Sequence, residues 1–522
     1  MTATPRPRLA MVVGCAVLVG GALALRLVFF SGLLAEDDIM YWGAAQGLRS
    51  GDHARGGPAY ATRHGLVVPL ALAHSWFGET ERAAALVPLA YSLAQLVLAY
   101  ALGRLYGGAA VGLTAAALLA ILPLDVIGAT DLHRDLPLGV WLAAAFYGVK
   151  RGELSARRAR AWFLFGGLAL GIAYVTKETA LAFLLVLLLR TWWFGTGVRG
   201  YPWLAAGLVT VLVGDVLWFW SVTGVPLYRY SSPVLSQYRS EGALLSQPSY
   251  TWMLGYLRML LWPLSGAFPY FAGIFLLVLA ALAWGLRRYV ALQELCFWWV
   301  TMLLAVSLVP LDLSFTRPAA PHFPRYLHPI LVPFALTVAI WLVRGFARRP
   351  WWRAGLLAAF TAMALGGTWT AHADYRIWVT PAREAAGIVV HLPAGTLVAT
   401  DHTTAWLLHV LARDTRATIV PYVGLDLAAS RPLLVLRDPA FLATELRYGR
   451  DVPAAVLSPP ARWEKVAEFT RPRRPGLRSL VLAWLRGGSA TATLAAEPVV
   501  LWRVPTNRAT LNLGMGTGPR PG

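Results

Sequence analysis

The chain has 522 residues, of which 57% are hydrophobic and 14% are charged, and its mean hydropathy is +0.56. Soluble domains carry roughly 25% charged residues, so this composition excludes an ordinary soluble protein and predicts a polytopic membrane protein. The formal net charge is +20, but the basic residues form short clusters between apolar runs. That pattern is typical of membrane topology and not of a nucleic-acid-binding face. The two cysteines, Cys15 and Cys296, both lie in apolar runs and offer neither a disulfide framework nor a thiolate metal site.

About eleven apolar segments are candidates for transmembrane helices, since a bilayer core needs roughly 17–25 residues of helix. The predicted spans are 9–31, 83–103, 108–127, 134–149, 161–176, 178–194, 201–222, 265–286, 290–311, 327–346 and 354–371. The first is longer than a signal-peptide core and has no evident cleavage site, so we expect it to be an anchor. Basic residues flank both ends of 161–194, which favours a hairpin of two short spans with Lys177 and Glu178 at its turn.

The Lys and Arg clusters determine the predicted orientation, because positively charged loops are retained in the cytoplasm. Arg6 and Arg8 precede the first span, and every strong basic cluster between later spans falls on the same side if the N-terminus is cytoplasmic. The extracytoplasmic side then receives 31–82, the loops near 128–133, 223–264 and 312–326, and everything after about residue 371.

The sequence changes character near Thr370. The segments GIVVHL, GTLVAT, ATIVPY, PLLVLR, AAVLSP and PVVLWRV are typical of short strands, and TTAWLLHVLARD has a helical pattern. We therefore predict a transmembrane domain over 1–371, which includes the outer segment 31–82, and a small extracytoplasmic α/β domain over 372–505. The last residues, 506–522, are rich in Gly and Pro and are predicted to be disordered.

Three consecutive acids, Glu36, Asp37 and Asp38, follow the first span, and DDIMYWGAAQGL has the apolar spacing of an amphipathic helix. The helix dipole stabilises a carboxylate at the N-terminus by roughly 0.3–1 kcal/mol, so capping alone accounts for one acid. Three acids in succession also repel one another at an apolar boundary. This arrangement favours a functional carboxylate.

Further polar side chains cluster on the same predicted face. They are Arg63 and His64; Asp131, His133, Arg134 and Asp135; Lys177 and Glu178; and His322, Arg325 and His328. A single Arg or Lys near a helix end more often snorkels to the interface. Together, however, these residues supply the cations, carboxylates and rings that bind an anionic head group with a sugar. The histidines lack a metal-binding spacing, so no metal site is expected.

Asp215 lies inside a predicted span, about two turns from its outer end. Acids at such depths face a cavity or a partner and avoid lipid. We expect Asp215 either to line a polar site from below or to make a structural hydrogen bond across helices.

The order of these motifs resembles that of the GT-C superfamily of membrane glycosyltransferases, in particular the bacterial branch similar to protein O-mannosyltransferases and aminoarabinose transferases. The matching stretches, within roughly residues 9–350, are EDDIMYWGAAQGL, TDLHRDLPLGVWLAAA, GLALGIAYVTKETALAF and RYLHPILVPFALTVA. The resemblance implies a multi-pass protein of the bacterial inner membrane that transfers a sugar, with inversion, from a polyprenyl-phosphate donor. The acceptor would be an envelope glycan, lipid or protein on the extracytoplasmic side. Neither a cofactor nor a divalent metal is expected.

The resemblance also implies roles for individual residues. Asp37 is the expected general base, and Asp38, where many relatives have Glu, is the second catalytic candidate. The cations expected at the donor phosphate are Lys177, Arg325 and Arg63, while Asp131 and Asp135 compete for the second carboxylate of the family. The predicted substrate-binding set also includes His64, Glu178 and His322. The C-terminal domain has no clear counterpart in the family's motifs, and its scattered acids predict that it supports acceptor binding or positioning and carries no catalytic group.

Two other functions fit parts of this pattern. A lipid-linked glycan polymerase or ligase would share the outer site, but a large central outer loop would favour it and 223–264 is only of moderate length. A transporter or flippase would carry charged residues near the middle of the membrane in two repeated halves, and Asp215 alone meets that description.

Overall fold

A computed structural model describes residues 6–34, 37–53, 55–237, 255–262, 267–308, 323–422, 432–447, 449–471 and 497–505. These residues fall into two compact units, one within Met1–Gly32 and Met40–Asp374, the other within Leu33–Ile39, Tyr375–Pro475 and Ala483–Gly522. His322 and the predicted disordered segment 506–522 lie outside the described residues.

The described residues up to Arg376 form α-helices joined by turns and short 3₁₀ segments. The helices are α1 (Arg6–Val28), α2 (Asp37–Ser50), α3 (Pro58–Ala61), α4 (His64–Phe77), α5 (Glu81–Gly107), α6 (Ala109–Ile121), α7 (Pro123–Gly128), α8 (Asp135–Leu154), α9 (Ala159–Thr176), α10 (Ala182–Phe194), α11 (Tyr201–Thr223), α12 (Gly255–Leu261), α13 (Ile274–Gly285), α14 (Val290–Leu308), α15 (Leu331–Gly345) and α16 (Pro350–Arg376). Among the described residues, six helical stretches are long and apolar enough to cross a membrane. They are Glu81–Gly107, Ala159–Thr176, Val198–Thr223, Val290–Ser307, Pro324–Gly345 and Pro350–Arg376. Their number confirms a multi-pass membrane protein, while the predicted count of about eleven spans stays a prediction.

The predicted hairpin over 161–194 agrees with the structure. Helix α9 ends at Thr176, the backbone of Lys177 is extended, and α10 begins only at Ala182 after a short 3₁₀ segment. This break places Lys177 and Glu178 in a turn between two helices, where both side chains reach neighbouring segments.

The segment 31–82, which is predicted to be extracytoplasmic, is more regular than the sequence suggested. It contains α2, α3 and α4, and α4 is an apolar helix of 14 residues that the sequence analysis did not predict. Pro69 lies inside α4 and interrupts the apolar run that would otherwise indicate a helix. Helix α4 begins at His64, so its first turn adjoins the predicted site residues Arg63 and His64.

Helices α8, α9 and α11 approach one another closely because glycines face each contact. A Cβ atom at Gly166 would stand 3.0 Å from the carbonyl oxygen of Ala145, and one at Gly167 would stand 1.9 Å from that of Leu204. Small residues let membrane helices pack by van der Waals contact where no hydrophobic effect drives them together. The close packing of α9 fixes the position at which the turn carrying Lys177 emerges.

The second unit contains a five-stranded mixed sheet in the order β2-β1-β3-β5-β4. Its elements are α17 (Thr380–Val389), β1 (Leu397–Thr400), α18 (His402–Leu411), β2 (Thr418–Pro421), β3 (Leu433–Arg437), α19 (Pro439–Arg447), α20 (Ala454–Leu457), β4 (Glu464–Phe469) and β5 (Val499–Val504). Strand β1 is parallel to β2 and β3, whereas β5 is antiparallel to β3 and β4. Apolar residues of α17 and α18 pack on one face of the sheet, and those of α19 and α20 pack on the other.

Four of the six predicted strand segments coincide with β1, β2, β3 and β5. Two predictions were wrong, since the first three residues of GIVVHL end helix α17 and AAVLSP begins with helix α20. In α17, Ala382, Ala385, Ala386 and Val389 are buried at helical spacing, so this packing outweighs the β-propensity of Ile388 and its neighbours. Strand β4 was not predicted, and its charged side chains are typical of an edge strand.

Candidate functional site

Helix α2 begins at Asp37, as the sequence predicted. The Asp38 side chain is buried, and its carboxylate accepts hydrogen bonds from the backbone N–H groups of Leu34 at 2.6 Å and Ile39 at 3.0 Å. Asp37 is partly exposed. The two acids therefore differ in environment. The Asp38 carboxylate binds backbone N–H groups at the start of α2, whereas the Asp37 side chain is accessible.

Lys177 is mostly enclosed, with 12% of its side chain exposed, between a carboxylate and an aromatic ring. Its Nζ donates to Asp135 Oδ1 at 2.5 Å and lies 3.9 Å from the centre of the Tyr326 ring. Burial lowers the pKa of the Lys177 ammonium to about 8, although the Asp135 carboxylate opposes that change. Lys177 is therefore a cation at neutral pH that loses its charge under mildly alkaline conditions.

Arg325, adjacent to Tyr326, is buried against the segment that precedes α8. One guanidinium nitrogen of Arg325 lies 2.9 Å from His133 Nε2, which in turn lies 2.9 Å from Asp131 Oδ2. A single imidazole nitrogen cannot accept from Arg325 and donate to Asp131 at the same time. The protonation state of His133 therefore decides which of the two partners it binds.

Glu178 joins two arginines from distant parts of the chain. It forms an ion pair with Arg63, and its other oxygen accepts from Arg229 at 3.1 Å. Burial alone would raise the pKa of the Glu178 carboxyl, but the two guanidinium groups outweigh it and hold the pKa at about 2. Glu178 is thus ionised at every physiological pH.

Arg229 also binds Asp215 of α11. The guanidinium donates to both carboxylate oxygens of Asp215, at 3.0 and 3.2 Å, and His64 Nδ1 lies 2.9 Å from one of them. Asp215 thus has an ion pair and a hydrogen bond across helices, which is one of the two arrangements expected for it. Arg229 was not among the predicted site residues, and the signal that would have indicated it is the YRY triplet, in a segment predicted to be extracytoplasmic.

These contacts form one continuous group, since Lys177 and Glu178 are neighbours in the chain. We name it the Lys177 cluster, and its members are Arg63, His64, Asp131, His133, Asp135, Lys177, Glu178, Asp215, Arg229, Arg325 and Tyr326. Four cations from four separate segments meet four carboxylates there. Seven of the ten predicted site residues belong to it, and Arg63, Lys177 and Arg325 are the cations that the sequence predicted.

The group contains no recognisable metal site. Within the part of the chain that the structure describes, no group of three or more His, Cys, Asp or Glu residues has an arrangement that could hold a metal ion. The expectation that the protein works without a divalent metal stays a prediction.

Comparison with known proteins gives one family match. The family model described as dolichyl-phosphate-mannose-protein mannosyltransferase matches residues 64–220, which is less than a third of the chain. The matched segment contains seven members of the Lys177 cluster, which are His64, Asp131, His133, Asp135, Lys177, Glu178 and Asp215. No curated protein sequence matches the chain.

Solved structures of ArnT from Cupriavidus metallidurans share the fold. The apo structure gives a TM-score of 0.62 at 16% sequence identity, and the alignment covers 98% of this chain and 100% of ArnT. The structure of ArnT bound to undecaprenyl phosphate gives a TM-score of 0.60 at 15% identity, with 97% of this chain and 99% of ArnT covered. The protein has the ArnT fold. The resemblance to GT-C glycosyltransferases that the motifs predicted is confirmed by these matches.

Proposed function

We propose that the protein is an integral membrane glycosyltransferase that moves a sugar from a polyprenyl-phosphate donor to an envelope acceptor. The observation that carries this proposal is the Lys177 cluster, in which four cations from four segments meet four carboxylates and two of them, Lys177 and Arg325, lie against the Tyr326 ring. Support comes from the fold of ArnT, which has been crystallised with undecaprenyl phosphate, and from the mannosyltransferase family model. The proposed location is the bacterial inner membrane, with the cluster and the second unit on the extracytoplasmic side.

Lys177, Arg325 and Arg63 are the proposed partners of the donor phosphate. An ammonium has three N–H donors, and Asp135 accepts one of those of Lys177, while among the described residues no other oxygen takes a second. A phosphate can therefore bind Lys177 without displacing Asp135. Arg63 is held by Glu178 and Arg325 lies against His133, so both cations are already positioned and need little reorganisation.

The chemistry that we propose is a single inverting displacement. The acceptor hydroxyl attacks the anomeric carbon, the bond from that carbon to the phosphate oxygen breaks, and the electron pair leaves with the polyprenyl phosphate. Asp37 takes the hydroxyl proton as the new bond forms. We assign this role to Asp37 and not to Asp38, because both Asp38 oxygens accept backbone N–H groups and so serve the entry into α2. The cations offset the charge that develops on the leaving phosphate.

The test is a donor panel. The purified full-length chain is incubated in detergent or bilayers with polyprenyl phosphates carrying different sugars, and the lipid products are separated by mass. The proposal predicts that at least one donor loses its sugar and yields polyprenyl phosphate, and that Asp37→Asn is inactive with the same donor. Arg199→Gln, a change at an exposed arginine, is the matched control and should remain active. If no polyprenyl-phosphate sugar is consumed with any envelope extract as acceptor, the proposal is wrong.

A further inference from the structure

An apolar groove of about 300 Å³ opens between α10, α13 and α14, away from the Lys177 cluster. Its lining includes Trp193, Leu286, Arg287, Cys296, Phe297 and Val300. Lys177 lies in the turn before α10, whereas Trp193 is the last residue but one of α10. The groove therefore lies at the opposite end of α10 from the proposed catalytic site, and the donor site cannot account for it.

The groove is apolar except where Arg287 enters its lining. Arg287 is exposed, and no carboxylate of the described residues forms an ion pair with it. By contrast, Arg190 on the same helix as Trp193 is bonded to two carboxylates. Arg288 follows directly and is also exposed, so two positive charges lie at one end of the apolar groove.

The turn that carries Arg287 is held in place from within. The Gln293 side chain donates from Nε2 to the carbonyl oxygen of Leu286 at 2.9 Å, across the connection between α13 and α14. This bond ties the first turn of α14 to the residue before Arg287. The basic end of the groove is therefore a fixed feature of the hairpin.

Two exposed tryptophans indicate how deep in the membrane the basic end of the groove lies. Trp192 and Trp193 are 77% and 58% exposed, and the Trp193 ring lies 5.7 Å from that of Phe297. Exposed Trp side chains at helix ends are enriched at the level of the lipid head groups. Arg287 thus lies at the depth of the head groups. Val300 lies further along α14 and faces the hydrocarbon region.

We propose that this groove binds an anionic phospholipid of the adjacent leaflet, with an acyl chain along Phe297 and Val300 and the phosphate against Arg287. A neutral or zwitterionic lipid can also enter the apolar part, but it brings no net charge to Arg287 and Arg288 and so should occupy the groove for less of the time. An anionic head group supplies charge-assisted hydrogen bonds to the guanidinium group. This inference is independent of the transferase proposal.

The chain provides its own reporter for this test. Cys296 and Cys15 are the only cysteines in the sequence, so Cys15→Ser leaves one thiol, and that thiol lines the groove. This full-length variant is reconstituted in phosphatidylcholine bilayers with or without phosphatidylglycerol, and alkylation of Cys296 by N-ethylmaleimide is followed by mass spectrometry. Phosphatidylglycerol should slow the alkylation about fivefold, the effect expected for one basic residue near an anionic lipid.

Two further variants locate the charge, both in the Cys15→Ser background. Arg287→Gln should abolish the effect of phosphatidylglycerol, while Arg157→Gln, a change at an exposed arginine in the turn between α8 and α9, should leave it intact. Equal alkylation in the two bilayers, or loss of the effect in both variants, would overturn the proposal.

A measurement on the unaltered chain does not depend on the folding of any variant. After extraction from a mixed bilayer, phosphatidylglycerol must be enriched among the lipids that remain bound, and a ratio equal to that of the bilayer would also overturn it.

Discussion

Two ionic groups lie near the two ends of α10. They contain similar residues but differ in the structural elements to which those residues belong. Beside the N-terminal end lies the Lys177 cluster, and near the C-terminal end Arg190 binds Glu153 with two nitrogens at 2.6 Å each and Glu294 at 2.9 and 3.0 Å. Lys150 and Tyr106 complete this second group, the Arg190 cluster, by bonding Glu294. Both groups bring cations and carboxylates together in a low-dielectric interior.

The difference lies in which elements carry the charges. All members of the Arg190 cluster are on helices α5, α8, α10 and α14, and its arginine donates from three nitrogens to two carboxylates. In the Lys177 cluster most charges are on turns and helix ends, and Lys177 has one carboxylate and one ring as neighbours. A closed pairing fixed by helices suits a structural role, whereas cations on turns can exchange partners with an incoming phosphate. The following predictions test this contrast.

The largest effect is expected from Asp37→Asn, which removes the proposed proton acceptor. The transfer rate should fall about 10²–10⁴-fold, the usual contribution of general acid–base catalysis, while donor affinity is preserved because no cation is lost. In Asp38→Asn an NH₂ group replaces one of the two carboxylate oxygens that accept backbone N–H groups, so stability should fall by about 1–3 kcal/mol with less than a tenfold change in rate. Rates and donor affinities of both variants are measured in the same membranes. Near-normal transfer by Asp37→Asn, or selective loss in Asp38→Asn, would refute the assignment.

Arg190→Met tests the structural role of the opposite cluster. Removing one partner leaves Glu153 and Glu294 buried without their main cation, so the variant should lose about 3–5 kcal/mol of stability. Thermal unfolding of the purified protein measures this loss. Arg199→Met, at an exposed arginine of the turn after α10, is the control and should unfold like the unaltered chain. A fully stable Arg190→Met protein with impaired donor binding would reverse the contrast between the two clusters.

Lys177 gives the donor site a pH dependence. With a pKa of about 8, its ammonium is charged below that pH and neutral above it, so the donor KM should rise as the pH increases through 8. The expected slope approaches tenfold per pH unit once the charge is lost. Arg is never neutral in this range, so Lys177→Arg should lack the alkaline rise even if its KM at pH 7 is higher. An unchanged alkaline rise in Lys177→Arg would mean that another group titrates.

The smallest effect concerns Asp401 in the second unit, which caps α18 through the backbone N–H of Thr404 at 2.7 Å. Burial raises the pKa of the Asp401 carboxyl from 3.8 to about 7, and the Asp438 and Glu445 charges add to this shift. The folded state thus binds the proton more tightly than the unfolded state. The resulting stability is present below about pH 4 and is lost as the pH rises through 7.

Asp401→Asn keeps the cap and removes the ionisable group. The second unit of this variant should therefore be more stable than that of the unaltered chain at pH 8, by a difference on the order of 1 kcal/mol, and should lose the pH dependence between 4 and 7. Hydrogen exchange of peptides covering β1 and α18 in the full-length chain measures it, after correction for intrinsic exchange rates. A destabilised variant at pH 8 would show that Asp401 is ionised and favourably paired.

The sequence predicted the features that local chemistry determines. The acids at the start of α2 and the break at Lys177 were both found, because a helix N-terminus and a charged pair between apolar runs leave signals within a few residues. Arg229 was missed, since its importance arises from contacts with Glu178 and Asp215, 51 and 14 residues away along the chain. Helix α17 was mistaken for a strand because burial of its alanines depends on the sheet beneath it.

The central claim is that the Lys177 cluster binds the phosphate of a polyprenyl donor, and a binding measurement tests it most directly. The purified full-length chain is titrated with polyprenyl phosphate and, separately, with the uncharged polyprenol of the same length. The account predicts that the phosphate strengthens binding about 10–100-fold, as expected for hydrogen bonds to charged groups, and that the double variant Lys177→Gln, Arg325→Gln loses most of this difference. Equal affinity for polyprenol and polyprenyl phosphate in the unaltered chain would contradict it.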